Sequence, residues 1–232
     1  MKNFIVLALL LGLVSSCGIG IRGNGEVATR SVQITNFNSL DISGAFAVEL
    51  TQGASYSITI TTDENIHPHI DMVKSGSTLA ISSRKNIAHS TELLVKIQMP
   101  ALEEIEASGA VNLRTLNTFS GDDLKLDFSG AQESNLSVNY SNIEISSSGA
   151  SETTLSGTAE NLSIDGSGAC EVKAKNLAVE DADLEFSGAG NAVVNVKDNL
   201  SVNISGAGEV RYVGSPAIKS DISGAATLLP LK

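Results

Sequence analysis

The sequence is poor in aromatic residues and in basic residues, and each shortage excludes a class of function. It contains no tryptophan, three tyrosines and six phenylalanines. Strong sugar-binding and peptide-binding faces usually depend on exposed aromatic side chains, so no such face is predicted. The 26 acidic residues outnumber 15 basic ones, giving a formal net charge of −11. Because nucleic-acid phosphates require clusters of lysine and arginine, we expect no nucleic-acid partner.

Long apolar runs are missing except for one short run at the N-terminus. Residues 1–16 combine Lys2, an apolar segment over 4–13 and the small, polar ending Val14-Ser15-Ser16. This order is typical of an export signal, and the apolar segment is too short to span a bilayer. We therefore predict that residues 1–16 are a lipoprotein signal peptide.

The sequence contains only two cysteines, and the first of them lies where a lipid would be attached. The stretch Val14-Ser15-Ser16-Cys17 resembles a bacterial lipobox, which implies that Cys17 is acylated and becomes the mature N-terminus. Acyl chains would hold the protein on a membrane. Gly18, which is not acidic, implies by the same resemblance the outer membrane. No acidic cluster follows Cys17, which favours the periplasmic side over the cell surface. Cys170 is then the only free thiol, so no intramolecular disulfide is possible.

The tripeptide Ser-Gly-Ala is abundant and regularly spaced. It begins at Ser43, Ser108, Ser129, Ser148, Ser167, Ser187, Ser205 and Ser223. From the second copy onward, successive copies are 21, 19, 19, 20, 18 and 18 residues apart. A near-constant period of this length indicates a repeat architecture.

The residues that precede each Ser-Gly-Ala alternate between apolar and polar. Apolar side chains recur one, three and five residues before the serine, as in Leu200, Val202 and Ile204. A period of two is typical of a strand with one buried face. Asparagine or aspartate, such as Asn199, recurs six residues before the serine and favours a turn. A second apolar patch follows each tripeptide, as at Val210.

Together these patterns predict an all-β, single-stranded parallel β-helix, or solenoid, with rungs of about 18–21 residues. We predict a right-handed coil because parallel crossovers are overwhelmingly right-handed. A flexible Ser/Gly linker would lack apolar residues at a fixed phase, and an antiparallel meander would need a second turn signal in each period. Glycine would form the corner of each rung, at Gly44, Gly109, Gly130, Gly149, Gly168, Gly188, Gly206 and Gly224.

The chain divides into four predicted parts. Residues 1–16 form the signal, and 17–26 comprise the lipidated cysteine and a flexible, glycine-rich tether. Residues 27–107 are less regular and are expected to form the first turns of the same column. Residues 108–232 form the regular repeats, and the stretch around Pro230 is expected to cap the last turn.

Two sets of side chains could carry chemistry, and both have simpler explanations. Carboxylates on one face could hydrolyse a polysaccharide, with candidates at Asp122, Asp123, Asp181, Asp183, Glu103 and Glu104. However, Asp123 and Asp181 occupy the turn position of the repeat, which explains their presence. His67, His69 and His89 could bind zinc, but Pro68 favours a solvated loop. We therefore predict no catalytic residue, no cofactor and no metal site.

Several short motifs resemble one family across residues 23–229. They are Gly23-Asn24-Gly25, Arg30-Ser31-Val32, Asp63-Glu64-Asn65-Ile66 and Met99-Pro100-Ala101-Leu102, together with Phe37, Leu40, Ile42, Gly44, Val48, Leu50, Gly53, Ile105 and Ser108-Gly109-Ala110. This set resembles the head GIN domain family of adhesin-like exported proteins, which are typical of Bacteroidota and are often lipoproteins. The resemblance implies a parallel β-helix-like fold of unassigned molecular function. Ser-Gly-Ala stands in this sequence where the family has Gly-Ile-Asn.

The sequence therefore predicts a non-catalytic, lipid-anchored protein of the cell envelope. It would present a lateral face of the solenoid to a protein or glycan ligand, as an adhesin-like or scaffold domain. The alternative is a β-helix enzyme, a hydrolase or lyase, that acts on polysaccharides.

Overall fold

A computed structural model of the chain describes residues 20–231, and this part is all β apart from a short 3-10 turn at His67–His69. The first nine strands are β1 Ile21–Arg22, β2 Val27–Val32, β3 Ser39–Gly44, β4 Ala47–Gln52, β5 Ser57–Asp63, β6 Ile70–Ser75, β7 Thr78–Ser83, β8 Ile87–His89 and β9 Leu93–Met99. The others are β10 Glu104–Thr115, β11 Phe119–Ser147, β12 Ala150–Gly166, β13 Ala169–Phe186, β14 Ala189–Ile204, β15 Ala207–Val213, β16 Ala217–Ile222 and β17 Ala225–Pro230.

The repeats stack in parallel, one above another, in the register that the sequence predicts. Ile145 pairs with Ile164, which in turn pairs with Leu184 in the next rung. The alanine of each Ser-Gly-Ala likewise pairs with the alanine one rung later, as Ala169 does with Ala189. The result is a β-solenoid of about six turns. The predicted fold class is confirmed, and the parallel pairing excludes the antiparallel meander.

The corner glycines lie above one another, too close together for any side chain. A Cβ atom added to Gly168 would lie 2.1 Å from the carbonyl oxygen of Gly149, and one added to Gly206 would lie 2.0 Å from that of Gly188. Real Cβ atoms essentially never approach within 3.0 Å. Some of these glycines, such as Gly109, also have a left-handed φ, but Gly149, Gly168, Gly188 and Gly206 do not. Lack of space is therefore their shared reason for being glycine.

The interior of the stack is a single apolar core. Leu126, Ile145 and Leu184 lie one above another there and are completely shielded from solvent. Burial of each such side chain stabilises the fold by about 1.5–3 kcal/mol. Phe186 fits because its neighbours are small: a Cβ at Gly166 or Gly190 would lie 2.7 or 2.3 Å from atoms of the phenylalanine side chain.

A buried polar cluster lies beside the corners in the middle of the stack. The amide of Gln132 donates to the carbonyl oxygens of Ser129 and Gly109, at 3.1 and 3.3 Å. The hydroxyls of Ser147 and Ser151 lie 2.6 Å apart, within hydrogen-bonding distance. Buried polar groups normally require such partners, so these residues are accommodated without disrupting the core.

The N-terminal part does not follow the predicted order of turns. Strands β3 and β4 form one rung, and β10 stacks directly on it, with Ile105 paired to Leu40 although 65 residues separate them. The intervening β7 and β9 form a rung on the opposite side of β3 and β4. Strands β5 and β6 then pair antiparallel with β9 and β7, and β2 pairs antiparallel with β5. The prediction that residues 27–107 form the first turns of the same column therefore does not hold for β2, β5 and β6, which pair antiparallel. Apolar side chains at matching positions favour the stacking of two rungs, but they do not decide which rungs become neighbours.

The C-terminal end also differs from the predicted cap. Residues 225–230 form β17, which pairs in parallel with β15 as part of the last rung, and β16 pairs with β14. Ile218 and Ile222 occupy the core phase of that rung, yet 43% and 37% of their surfaces are exposed. Within residues 20–231 no strand pairs with the outer edge of β16. Pro230 thus ends a strand and does not cover one.

The glycine column yields a first prediction. Replacing Gly168 by alanine would place a methyl group against the backbone of Ser148 and Gly149 in the preceding rung, so the rungs would have to separate. We expect a loss of about 2–3 kcal/mol in the free energy of unfolding, measured by urea denaturation. Ala169→Ser, at the neighbouring exposed position, is the matched control and should leave the midpoint nearly unchanged. Equal midpoints for Gly168→Ala and the original chain would contradict the close contact.

Candidate interaction surface

Strands that precede the corners carry a strongly acidic outer surface, which we call the acidic side. Its carboxylates point outward two, four or six residues before the corner serines, at Asp41, Glu104, Glu106, Asp123, Asp127, Glu144, Asp165, Asp181, Asp183, Glu185 and Asp221. The only basic residues at these positions are Lys125 and Lys219. Lys125 is paired with Glu104 at 3.4 Å, and its acidic neighbours raise its pKa.

One column of the acidic side is a ladder of asparagine and aspartate side chains. The amide of Asn142 donates to Asp123 at 2.7 Å, Asn161 donates to Asn142 at 2.9 Å, and Asn199 donates to Asp181 at 2.6 Å. Each bond joins neighbouring rungs, so the ladder ties the outside of the stack together. The sequence pattern indicated local turns at these positions, whereas the structure places the residues within bent strands.

Strands that follow the corners carry a mixed surface, which we call the groove side. Glutamates recur four residues after the corner serine, as Glu133, Glu152 and Glu171, and Asn191 continues the column. Lys173 pairs with Glu152 at 2.5 Å and with Glu171 at 3.4 Å. These carboxylates raise the pKa of Lys173. Because the pairs are solvent-exposed, they contribute little to stability.

A shallow groove of about 430 Å³ runs across several rungs of the groove side. Its surface combines the small alanines next to the corners with the outward glutamates and an asparagine. Its lining residues are Gln132, Glu133, Ala150, Ser151, Glu152, Ala169, Cys170, Glu171, Ala189 and Asn191. Neighbouring rungs of a parallel sheet lie ~4.8 Å apart, so polar groups repeat along the groove at that interval. Sequence reasoning did not find this groove, although the recurring glutamates were its visible signal.

The side chains that the sequence offered for catalysis are either bound to neighbouring side chains or exposed on the outside of the solenoid. Asp123 and Asp181 accept hydrogen bonds within the ladder. Asp183 projects from the acidic side and Asp122 from the start of β11, both into solvent. Glu104 binds Lys125, and Glu103 is exposed.

The three histidines do not form a metal site. His67 is buried, and its Nε2 lies 2.9 Å from the carbonyl oxygen of Ala28, while His69 lies in the same 3-10 turn. His89 is exposed at the end of β8. Among residues 20–231, no group of three or more His, Cys, Asp or Glu side chains is arranged to hold a metal ion.

The free thiol is enclosed in the core. Only 1% of the surface of Cys170 is exposed. Burial raises the pKa of this thiol, although Ser151 and Ser147 beside it act in the opposite direction. A buried, protonated thiol is a poor nucleophile, so Cys170 serves as a small core residue, as its position in the repeat suggests.

The first described residues are clasped to the end of the stack by Asp63. The backbone N–H of Gly25 donates to this carboxylate at 2.7 Å, and Thr91 donates to it from its N–H at 2.7 Å and its hydroxyl at 2.9 Å. Gly23 has no room for a side chain, because its Cβ would lie 2.3 Å from Asp63. The bond from the Thr91 N–H is the largest cause that lowers the pKa of Asp63, and the Gly25 and Thr91 hydroxyl bonds add to it.

The clasp corrects one expectation. Residues 17–26 were predicted to be a flexible tether, but β1 pairs with β8 and Asn24 N–H donates to Asn65 at 3.0 Å. The described part of this segment is therefore held in place. The predicted signal peptide at 1–16 and the predicted lipidation at Cys17 lie outside the described residues. No helix within 20–231 is long and apolar enough to cross a membrane.

The fold and its surface define the class: a parallel β-solenoid with long lateral faces that carry repeating polar side chains. The chain belongs to the family described as "Putative auto-transporter adhesin, head GIN domain", whose model matches residues 36–216. The resemblance seen in the sequence is thereby confirmed. Membership of an adhesin family indicates an extracellular or envelope-associated protein.

Solved structures of similar fold include proteins from Bacteroides and Parabacteroides species. A "putative adhesin" from Bacteroides fragilis is 22% identical with a TM-score of 0.87, and 91% of this chain and 100% of that one are covered. One from Parabacteroides merdae is 27% identical with a TM-score of 0.71, covering 91% and 99%. A "putative lipid binding protein" from Parabacteroides distasonis is 21% identical with a TM-score of 0.65, covering 91% and 99%. No curated protein matches the chain.

The clasp predicts a pH-dependent contribution to stability. A carboxylate whose pKa is lower in the folded than in the unfolded chain stabilises the fold above the unfolded value of about 3.9. That contribution disappears as the pH falls through the folded pKa. Asp63→Asn should therefore lower the urea midpoint at neutral pH, and its difference from the original chain should shrink below about pH 4.

Urea titrations at several pH values measure this effect. Asp165→Asn, on the exposed acidic side, is the matched control and should leave the neutral midpoint unchanged. Identical urea midpoints for Asp63→Asn and the original chain at every pH would show that the hydrogen bonds of Asp63 do not stabilise the fold.

Proposed function

We propose that the protein is a non-catalytic, lipid-anchored protein of the cell envelope, which binds a protein or glycan ligand through its groove side. The observation that carries this proposal is the groove across the rungs, where polar side chains repeat on a rigid stack. Membership of an adhesin family supports binding as the function. The lipobox resemblance at residues 14–17 supports the anchor.

The chemistry of the groove favours a polar ligand that extends along the solenoid. Glu133 and Glu171 offer carboxylate oxygens, and Asn191 offers both a donor and an acceptor. These groups match hydroxyl or amide groups of a glycan or an extended peptide. Cationic groups on a ligand would also be attracted, because the chain carries a net charge of −11. The alanines between them let a ligand approach the backbone closely.

The non-catalytic part of the proposal is supported by what the candidate carboxylates already do. Asp123 and Asp181 are engaged in the asparagine ladder, and Glu104 is engaged with Lys125. The groove itself is lined by glutamates that repeat along one column, which suits binding along a line better than attack at a single bond. A hydrolase would instead need two carboxyl groups with different roles across one bond.

The anchor would lie at one end of the stack. Residues 20–22 pair with β8, which connects β7 to β9 in the rung at the N-terminal end of the solenoid. A lipid on Cys17 would therefore place this end next to the membrane and leave the lateral faces free.

The lipid anchor can be tested by metabolic labelling. In the native host, a fatty-acid probe should label the protein, and Cys17→Ser should lose both the label and the membrane association. Cys170→Ser is the control and should keep both, because that thiol is buried. Protease added to intact cells should leave the protein uncut, as expected on the periplasmic side of the outer membrane. Labelling of Cys17→Ser would overturn the anchor.

The ligand site can be tested with glycan arrays and peptide pull-downs on the purified chain. For any ligand found, a Glu133→Gln/Glu171→Gln double variant should bind about tenfold or more weakly, since two charged hydrogen-bond acceptors are lost. Glu144→Gln, on the acidic side, should bind as the original chain does. Unchanged binding by the double variant would exclude the groove, and release of reducing ends from a polysaccharide would contradict the non-catalytic part.

A further inference from the structure

The two ends of the solenoid differ in what lies over their outermost parallel rung. At the N-terminal end, β5 and β6 cover the edges of β9 and β7. At the C-terminal end, β16 has a partner on one edge only among residues 20–231. Each of its residues is exposed, although Ile218, Ser220 and Ile222 pair with the fully buried core residues Leu200, Val202 and Ile204. An open strand edge of this kind is a ready template for another strand.

The exposed strand β16 is self-complementary when it is read in both directions. Its residues 218–222 are Ile-Lys-Ser-Asp-Ile. If two copies pair antiparallel with Ser220 opposite Ser220, then each Ile218 faces an Ile222. Each Lys219 then faces an Asp221, and both isoleucine pairs lie on the core side. Opposite charges placed directly across two strands attract, whereas like charges repel.

The alternative registers are unfavourable. A slip by one residue places core-side residues opposite solvent-side residues. A slip by two residues places Lys219 opposite Lys219 or Asp221 opposite Asp221, which is repulsive. Within residues 20–231, neither Lys219 nor Asp221 takes part in a salt bridge. Both charges are therefore available to a second strand.

We propose that β16 is a docking edge for a second copy of this chain, which pairs with it antiparallel about a two-fold axis through Ser220. The contact joins two solenoids end to end at their C-terminal rungs and extends the sheet across both molecules. It covers Ile218 and Ile222 and gives two Lys219–Asp221 pairs. Because the contact is isologous, it closes at a dimer and does not continue as a fibre.

The test uses residues 18–232, which contain the whole stack and its core, in light scattering and sedimentation over a wide dilution series. The original chain should be a dimer that dissociates on dilution. Lys219→Asp and Asp221→Lys each turn both charge pairs repulsive, so each should raise the dimer Kd by about tenfold or more. Asp165→Lys, in the same column as Asp221 but deep within the stack, should leave the dimer intact.

Charge exchange gives the sharpest outcome. The double variant Lys219→Asp/Asp221→Lys should dimerise again, and a mixture of the two single variants should form a heterodimer. A chain that stays monomeric at every concentration overturns the proposal, as does a dimer that the single variants leave unchanged. A complex in which β16 binds a different protein instead of its own copy also overturns it. Circular dichroism and urea midpoints of each variant separate loss of pairing from loss of folding.

The pairing also determines where the two N-terminal ends of the dimer lie, and this part of the inference rests on the proposed lipid anchor. The anchored ends would lie at opposite extremes of the double-length solenoid, because residues 20–22 are at the other end from β16. Vesicles of phosphatidylcholine with a maleimide lipid, coupled to the chain through Cys17, should cluster. Vesicles with Lys219→Asp should stay separate and should cluster when mixed with vesicles that carry Asp221→Lys. The solution experiment does not involve the anchor, so failure of the anchor and failure of the pairing are distinguishable.

Discussion

Backbone-to-backbone contact at the corners is the constraint on which the rest of the structure depends. From Gly109 onward, each corner glycine lies against the carbonyl oxygen of the corner glycine in the preceding rung, at a distance that excludes even a methyl group. This contact lets the strands on both sides of the corner pair in parallel without a gap. It also holds the rungs in one register, so that each core residue meets its counterpart in the next rung. A side chain at one corner would push two neighbouring rungs apart, both in the strands before the corner and in the strands after it.

Fixed register gives the outside of the solenoid its order. Side chains of the same kind come to lie above one another, and they form the asparagine ladder on the acidic side and the glutamate column on the groove side. The interior tolerates more variation, because a large side chain such as Phe186 is matched by glycines at its neighbours. Rigid spacing combined with exchangeable outer residues suits a surface that binds extended ligands. The proposed groove and the proposed pairing edge use different parts of this one framework.

The two ends of the stack differ in whether other strands cover the outermost parallel rung. Antiparallel strands and the Asp63 clasp close the N-terminal end, where the chain approaches its proposed anchor. At the C-terminal end, Ile218 and Ile222 stand at positions that are buried in the other rungs, but here they are partly exposed to solvent. Parallel stacking has no natural end, because every rung presents the same hydrogen-bonding edge as the one before. What covers each end is therefore a separate property of the molecule.

The sequence by itself determined the parallel stack over residues 108–222, because a near-constant period and a strict alternation around Ser-Gly-Ala leave only one way to bury the apolar face. It also indicated the family. Only the tertiary structure decided that Ser43 lies beneath Ser108, with the intervening strands on the other side of their rung. Apolar phase specifies which faces match, but loop closure permits a long segment to return on either side. The groove and the exposed edge of β16 likewise depend on neighbours far apart in the chain, and no local pattern reveals which rung is the last to be covered.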